Sequence, residues 1–143
     1  RGLSVIQGNA DNDLSLYPDL SFDCVILSQT IQATNSPKNI LTELVRIGKK
    51  AIVSIPNFGY WQVRLGFAAF GKMPITKKLS NNWYDTPNIH LCSILDFVDL
   101  CSELNIKIDK TIVLSSKSTK SFNGIPSKLS NFFGEEAIFL IKN

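Results

Sequence analysis

Phe22-Asp23-Cys24-Val25-Ile26-Leu27-Ser28-Gln29 is a short apolar run with β-branched residues at its centre. Asp19 and Ser21 precede it, and the polar residues Ser28, Gln29 and Thr30 close it. A run of this length and type reads as a strand buried on both faces, as in parallel sheets covered by helices. Its polar carboxyl end is where ligands sit in open α/β sheets, which makes Ser28 and Gln29 candidate binding residues.

Downstream, Asn35-Ser36-Pro37 offers a capping side chain and a first-turn proline, the start of a helix. Ile40, Leu41, Leu44 and Val45 recur at helical spacing, Gly48 can close the helix, and Lys49-Lys50 suit the negative end of its dipole. Ala51-Ile52-Val53-Ser54-Ile55 is a second buried strand ended by Pro56. Strand, helix and strand at these lengths make a βαβ unit, so the two strands should lie parallel.

Upstream, Leu3–Gln7 alternates like a strand and stops at Gly8, and Asn9–Asp13 is a polar turn. Further on, a helix is expected over residues 59–70, with Tyr60, Val63, Phe67 and Phe70 on its inner face and Gly71 at its end. Met73–Leu91 combines turn-forming Pro and Asn residues with Trp83, Tyr84 and the lone histidine, His90. Such a segment reads as a folded functional loop. Ser93 and Asp96 have the spacing of a capping box. Phe97, Leu100, Cys101 and Leu104 give the helix that follows its buried stripe. Ile106–Leu114 and Ala137–Ile141 read as two final strands, with a mobile Ser/Lys-rich link over 115–133 between them. No repeat or internal boundary interrupts the chain, so residues 1–143 read as one domain.

At 143 residues and 44% apolar, the chain is long enough to bury a core. A net charge of +3, carried by scattered lysine pairs without interleaved aromatics, argues against nucleic acid. Cys24, Cys92 and Cys101 show no metal-type spacing and read as reduced cysteines of a cytoplasmic protein. No run approaches the ~18 apolar residues of a membrane span. The first residue is Arg1, so the chain is expected to begin inside a longer reading frame.

Three stretches carry a resemblance: Leu27–Thr34 (Leu-Ser-Gln-Thr-Ile-Gln-Ala-Thr), Ser54–Gly59 (Ser-Ile-Pro-Asn-Phe-Gly) and Trp83–Leu91 (Trp-Tyr-Asp-Thr-Pro-Asn-Ile-His-Leu). From about Val5 to Leu114 the sequence is similar to the methionine-biosynthesis family MetW, within the class I S-adenosylmethionine-dependent methyltransferases. The resemblance implies an α/β fold: the C-terminal portion of a Rossmann-like methyltransferase, with a mostly parallel sheet and an antiparallel final strand. The first two strands, with their Gly-rich cofactor loop, would be absent, making this an N-terminally truncated piece. The implied partner is homoserine O-acyltransferase. The implied cofactor is S-adenosylmethionine, held by the full-length protein and not by this fragment. Fold alone does not decide between such a subunit and an active small-molecule methyltransferase.

By the same resemblance Asn9 and Ala10 would reach the adenine, while Ser28 and Gln29 face the methionine end. A surface turn that caps the next element fits Asn9 as well. Asp85, Asn88 and His90 offer the makings of a general base with an orienting acid, although a histidine among aromatics equally serves structure. Trp83 and Tyr84 are candidates for a ligand wall or a partner surface. Arg64 is a candidate grip on a carboxylate, or a solvated helix charge.

Overall fold

The computed structural model describes residues 7–73, 75–76 and 78–143. The strand expected over Leu3–Gln7 lies, but for Gln7, outside these residues. Five strands form one sheet in the order β1-β2-β5-β3-β4. They are β1 (Val25–Ser28), β2 (Ala51–Pro56), β3 (Lys107–Ser115), β4 (Ser118–Asn123) and β5 (Glu136–Lys142). β1 and β2 pair in parallel, Val25 opposite Ala51 and Ser28 opposite Ser54, as the βαβ reading requires. β5 runs antiparallel to both β2 and β3, so β1, β2 and β3 share one direction. The final strand is thus antiparallel to both its neighbours, as expected, and β4 also runs antiparallel to β3.

Helix α2 (Pro37–Ile47) supplies the crossover and buries Ile40, Leu41, Leu44, Val45 and Ile47. Each such side chain contributes about 1.5–3 kcal/mol of transfer free energy. Its start departs from the expected self-capping, for Ser36 makes no side-chain cap. The Asp11 carboxylate, from the short helix α1 (Ala10–Asp13), accepts instead from the backbone N–H groups of Asn35 and Ser36, each at 3.1 Å. Gly48 closes the helix in an extended conformation, and a Cβ there would meet Val25 Cγ2 at 2.7 Å. Helix α4 (Ile94–Glu103) opens on a complete capping box between Ser93 and Asp96. It packs Phe97 on Phe139 of β5, ring centroids 4.4 Å apart. Cys101 is buried there, and burial pushes its thiol up to about 12.

Three expectations need correction. β1 is not buried on both faces: its residues alternate half-buried and exposed, and Ile26 is 68% exposed. The buried set of β5, Ala137, Phe139 and Ile141, alternates along the strand, and Phe139 faces α4. The strand residues between them are half-buried, so the opposite sheet face is covered only in part. No strand pairs with the outer edge of β1 among the described residues. The helix over residues 59–70 is α3 (Trp61–Phe70), closed by Gly71 at φ 61°, but Phe67 and Phe70, on the face of Val63, stay exposed and only Val63 is buried within it. The link over 115–133 is ordered: β4 forms a hairpin with β3, and α5 (Lys128–Phe133) buries Ser130 and Asn131.

Candidate functional site

The polar residues converge at the carboxyl ends of β1 and β2, where β5 begins. Gln29 is the turning point of the chain there, at φ 47°. A non-glycine residue holds this left-handed conformation at a cost of order 1 kcal/mol, and only where its surroundings fix it. They do: its N–H donates to the carbonyl and to Oγ of Ser54, both at 3.0 Å. Its side-chain amide donates to Glu136 Oε1 at 2.7 Å. Its carbonyl accepts from Gln32 Nε2 at 2.8 Å. Ser28 completes the tip, with its hydroxyl 3.3 Å from that of Ser54.

Glu136 is buried, and Lys78 neutralises it with a 2.5 Å contact to Oε2. Gln32 is buried as well, and its carbonyl oxygen accepts from the backbone N–H groups of Ile89 and His90 at 2.9 Å. Its side-chain Oε1 is buried without a donor. An N–H donor is what such an unpaired buried acceptor would take.

Asn57 organises the second quoted stretch. Buried at the end of β2, it donates from Nδ2 to the carbonyls of Asn131 and Gly134, each at 2.7 Å. Its Oδ1 accepts from Gly59 N–H at 2.9 Å and from Ile94 N–H at 3.2 Å. One side chain therefore joins β2, α3, α4 and α5. At Gly59 a Cβ would stand 2.8 Å from Asn131 Oδ1, so an added methyl group would push that side-chain amide aside. The Pro-Asn-Phe-Gly signature is accordingly a joint of the scaffold.

The other expected residues are more dispersed. Asn9 caps α1, its Oδ1 taken by the Asp11 N–H at 2.9 Å. Ala10 lines a cleft of about 300 Å³ against Asn39 and Ile40 of α2. The neighbouring Asp11 was not expected to matter, yet the Asn35 backbone N–H foremost, with further donors at Ser36 and the Asn35 side chain, holds its carboxyl below the usual range. Asp85 and His90 are both exposed, and among the described residues no hydrogen bond links their side chains. Trp83 (73% exposed) and Tyr84 (66%) touch each other edge to face at 5.6 Å. Trp83, Asn88 and Ile89 border a cleft of about 270 Å³ with Phe58, Lys78 and Leu79. Arg64 is spent locally, donating from Nε to the Gly59 carbonyl at 2.6 Å and lying over the Phe132 ring.

On α3, Leu65, Phe67 and Phe70 are exposed, as are Met73 and Ile75 after it. Phe67 and Phe70 share the helix face of buried Val63, so that apolar face continues uncovered at the C-terminal end of the helix. Among the described residues no cluster of His, Cys, Asp and Glu is fit to hold a metal. No helix among them is long and apolar enough to cross a membrane.

The family model described as "Methionine biosynthesis protein MetW" matches residues 1–141. This chain belongs to the MetW family. A bifunctional methionine biosynthesis protein MetXA/MetW from Rhodopirellula baltica is 36% identical over 113 residues, covering 78% of the chain and 18% of that protein. Among solved structures, a SAM-dependent methyltransferase from Thermotoga maritima, a possible histamine N-methyltransferase, superposes with a TM-score of 0.62 at 20% identity. It covers 98% of this chain and 64% of that one. A SAM-dependent methyltransferase from Archaeoglobus fulgidus gives 0.54 at 14% identity, covering 96% and 66%. This MetW chain thus has the Rossmann-like methyltransferase fold, and spans about a fifth of its curated relative and about two thirds of the solved enzymes.

Gln32, Asn57, Lys78 and Glu136 escaped the sequence reading. Glu136 left a trace, a carboxylate opening an otherwise apolar strand (Glu136-Ala137-Ile138-Phe139), where burial would demand a cation. Gln32 and Asn57 lay inside quoted motifs but carried no sign of what they bond.

Proposed function

We propose that this MetW protein is a methyltransferase-like subunit of the cytoplasm that acts in methionine biosynthesis through association with homoserine O-acyltransferase. The observation that carries the reading is the apolar exposure of α3 and of the Trp83–Leu91 loop. They present Leu65, Phe67, Phe70, Trp83 and Tyr84 to the outside, while His90 and Asp85 stay apart from each other's hydrogen bonds. Aromatic and aliphatic groups of this kind anchor protein partners. A relative named for MetXA and MetW together supports the choice of partner. In the test, the full-length protein is mixed with homoserine O-acyltransferase, and complex formation and the acylation rate are followed. A complex with an altered rate is expected; neither effect at micromolar concentrations refutes the reading.

A second reading is favoured by the open acceptor of Gln32 behind the β1 tip and by the SAM-dependent solved relatives. In it, Ser28, Gln29 and Gln32 hold S-adenosylmethionine, with Asn9 and Ala10 at the adenine. When bound, the cofactor would supply an electrophilic methyl group, and the Trp83–His90 loop would receive the acceptor, with His90 as base and Asp85 nearby in the same loop. Calorimetric titration of the full-length protein with S-adenosylmethionine separates the readings, and no heat at high micromolar ligand removes this one.

A further inference from the structure

Between Ser80 and Asn88 the loop buries no side chain. A segment with so little buried surface takes its shape from whatever holds its ends. Both ends are held, and both ties lead to Gln29. At the first, Lys78 meets Glu136 Oε2, while Gln29 Nε2 occupies Glu136 Oε1. At the second, the N–H groups of Ile89 and His90 bond the Gln32 carbonyl, and Gln32 Nε2 bonds the Gln29 carbonyl. Gln29 in turn is locked to Ser54 in a conformation that it would not hold unaided.

The first tie is the firmer. A carboxylate as buried as Glu136 cannot lose its cation without a large penalty, so the ammonium of Lys78 is kept against the sheet. The second uses main-chain donors and fixes the direction in which the chain leaves toward Leu91. Between them the Asn82–Asp85 turn, closed by a 3.1 Å bond from Asp85 N–H to the Asn82 carbonyl, carries Trp83 and Tyr84 outward.

We infer that Gln29, Gln32, Glu136 and Lys78 are positioning residues: they set the loop from the tip of β1 into the shape that the acyltransferase receives. This rests on the partner reading above, and makes Gln29 common to the cofactor end of the fold and the partner loop. Cutting either tie frees one end of the loop.

The test uses the full-length protein with two readouts: amide hydrogen exchange over residues 80–91, and affinity for homoserine O-acyltransferase. The variants are Gln29→Leu, Lys78→Arg, and the pair Lys78→Met with Glu136→Gln, which removes the tie without leaving a buried charge. Exchange in the loop should rise at least tenfold in Gln29→Leu and in the pair, with affinity falling about tenfold. Protection of Phe139 and Ile141 in β5 should hold, and Lys78→Arg should stay within twofold of the parent. Should Gln29→Leu unfold, the pair still decides. Unchanged loop exchange in the pair overturns the inference, as does undiminished affinity with a loosened loop. If the variants bind the acyltransferase as tightly as the parent, the inference falls and the partner reading stands. If the parent itself does not bind, the partner reading falls, and the role assigned to the ties falls with it.

Discussion

Asn57 Nδ2 lies 2.7 Å from the carbonyl oxygen of Gly134, across 77 residues of sequence. The same amide reaches Asn131, while its oxygen serves Gly59 and Ile94. Removing it strands four buried backbone groups, each worth about 1–3 kcal/mol when left unmade, although relaxation and water recover part of the sum. Asn57→Ala should therefore lower stability by about 3 kcal/mol or more in urea unfolding. Asn57→Asp should fare no better, because a carboxylate cannot donate to the Asn131 and Gly134 carbonyls.

Phe67 and Phe70 should behave in the opposite way. They are 55% and 78% exposed, so replacing both by Glu should change the urea midpoint little, within about ±0.5 kcal/mol per site. Under the partner reading the same double variant should lose at least tenfold in affinity for homoserine O-acyltransferase, measured by calorimetry. Undiminished affinity would place the docking surface elsewhere.

The parallel pair of strands and its crossover helix were legible because periodicity and capping are local signals: an apolar run, a Pro at the helix start, four residues on one face. The exposure of Phe67 and Phe70 on α3 was not legible, because they keep the helical spacing of Val63 whether or not a neighbour covers them. Spacing tells that residues share a face, not that the protein covers it. The link over 115–133 was hidden for another reason. Its strand β4 pairs Ser118 with Ser115 and Lys120 with Val113, a register set by β3 rather than by its own polar residues. Topology alone places Ser28 and Gln29 at the tip of β1, but the bonds of Gln29 to Ser54 and Glu136 span 25 and 107 residues. No local pattern encodes pairings at that distance.

Acid should loosen the junction of α1 and α2. The folded protein depresses the Asp11 carboxyl below its ordinary 3.8, chiefly through the Asn35 backbone N–H. A depressed carboxylate stabilises the fold fully above the unfolded value, and the contribution is lost as pH falls through the lower folded one. Stability measured between pH 5 and pH 2 should accordingly drop less steeply in Asp11→Asn than in the parent. Identical slopes would show that Asp11 does not hold the start of α2.

Cys101 contributes to the alkaline limit of stability, beside Cys92, whose thiol burial also pushes up. Burial pushes its thiol from 9.0 up to about 12, so above pH 9 the unfolded chain loses this proton while the folded one keeps it. Stability from this group is whole below pH 9 and declines as pH rises toward 12. Cys101→Ala should flatten that alkaline decline. In the native parent at pH 8, a thiol reagent should leave Cys101 unmodified until denaturant opens the core, since thiolate and access are both lacking.

Gly134 tests how closely α5 is fitted against β3 and α4 at this end of the molecule. A Cβ there would lie 2.4 Å from Val113 Cγ1, 2.7 Å from the Ser130 carbonyl and 3.2 Å from Ile94 Cδ1. Val113 and Ile94 are core side chains, and the Ser130 carbonyl accepts the Gly134 N–H that closes α5, so none of the three can yield cheaply. The backbone is no obstacle, because φ at this position is −81°, which any residue adopts. Gly134→Ala should thus cost about 1–3 kcal/mol by overpacking alone. Trimming the obstacle should recover part of it: Gly134→Ala with Val113→Ala should lose less than the two single losses added together. Strict additivity in the double-mutant cycle would mean that the Val113 contact is not what excludes the methyl group.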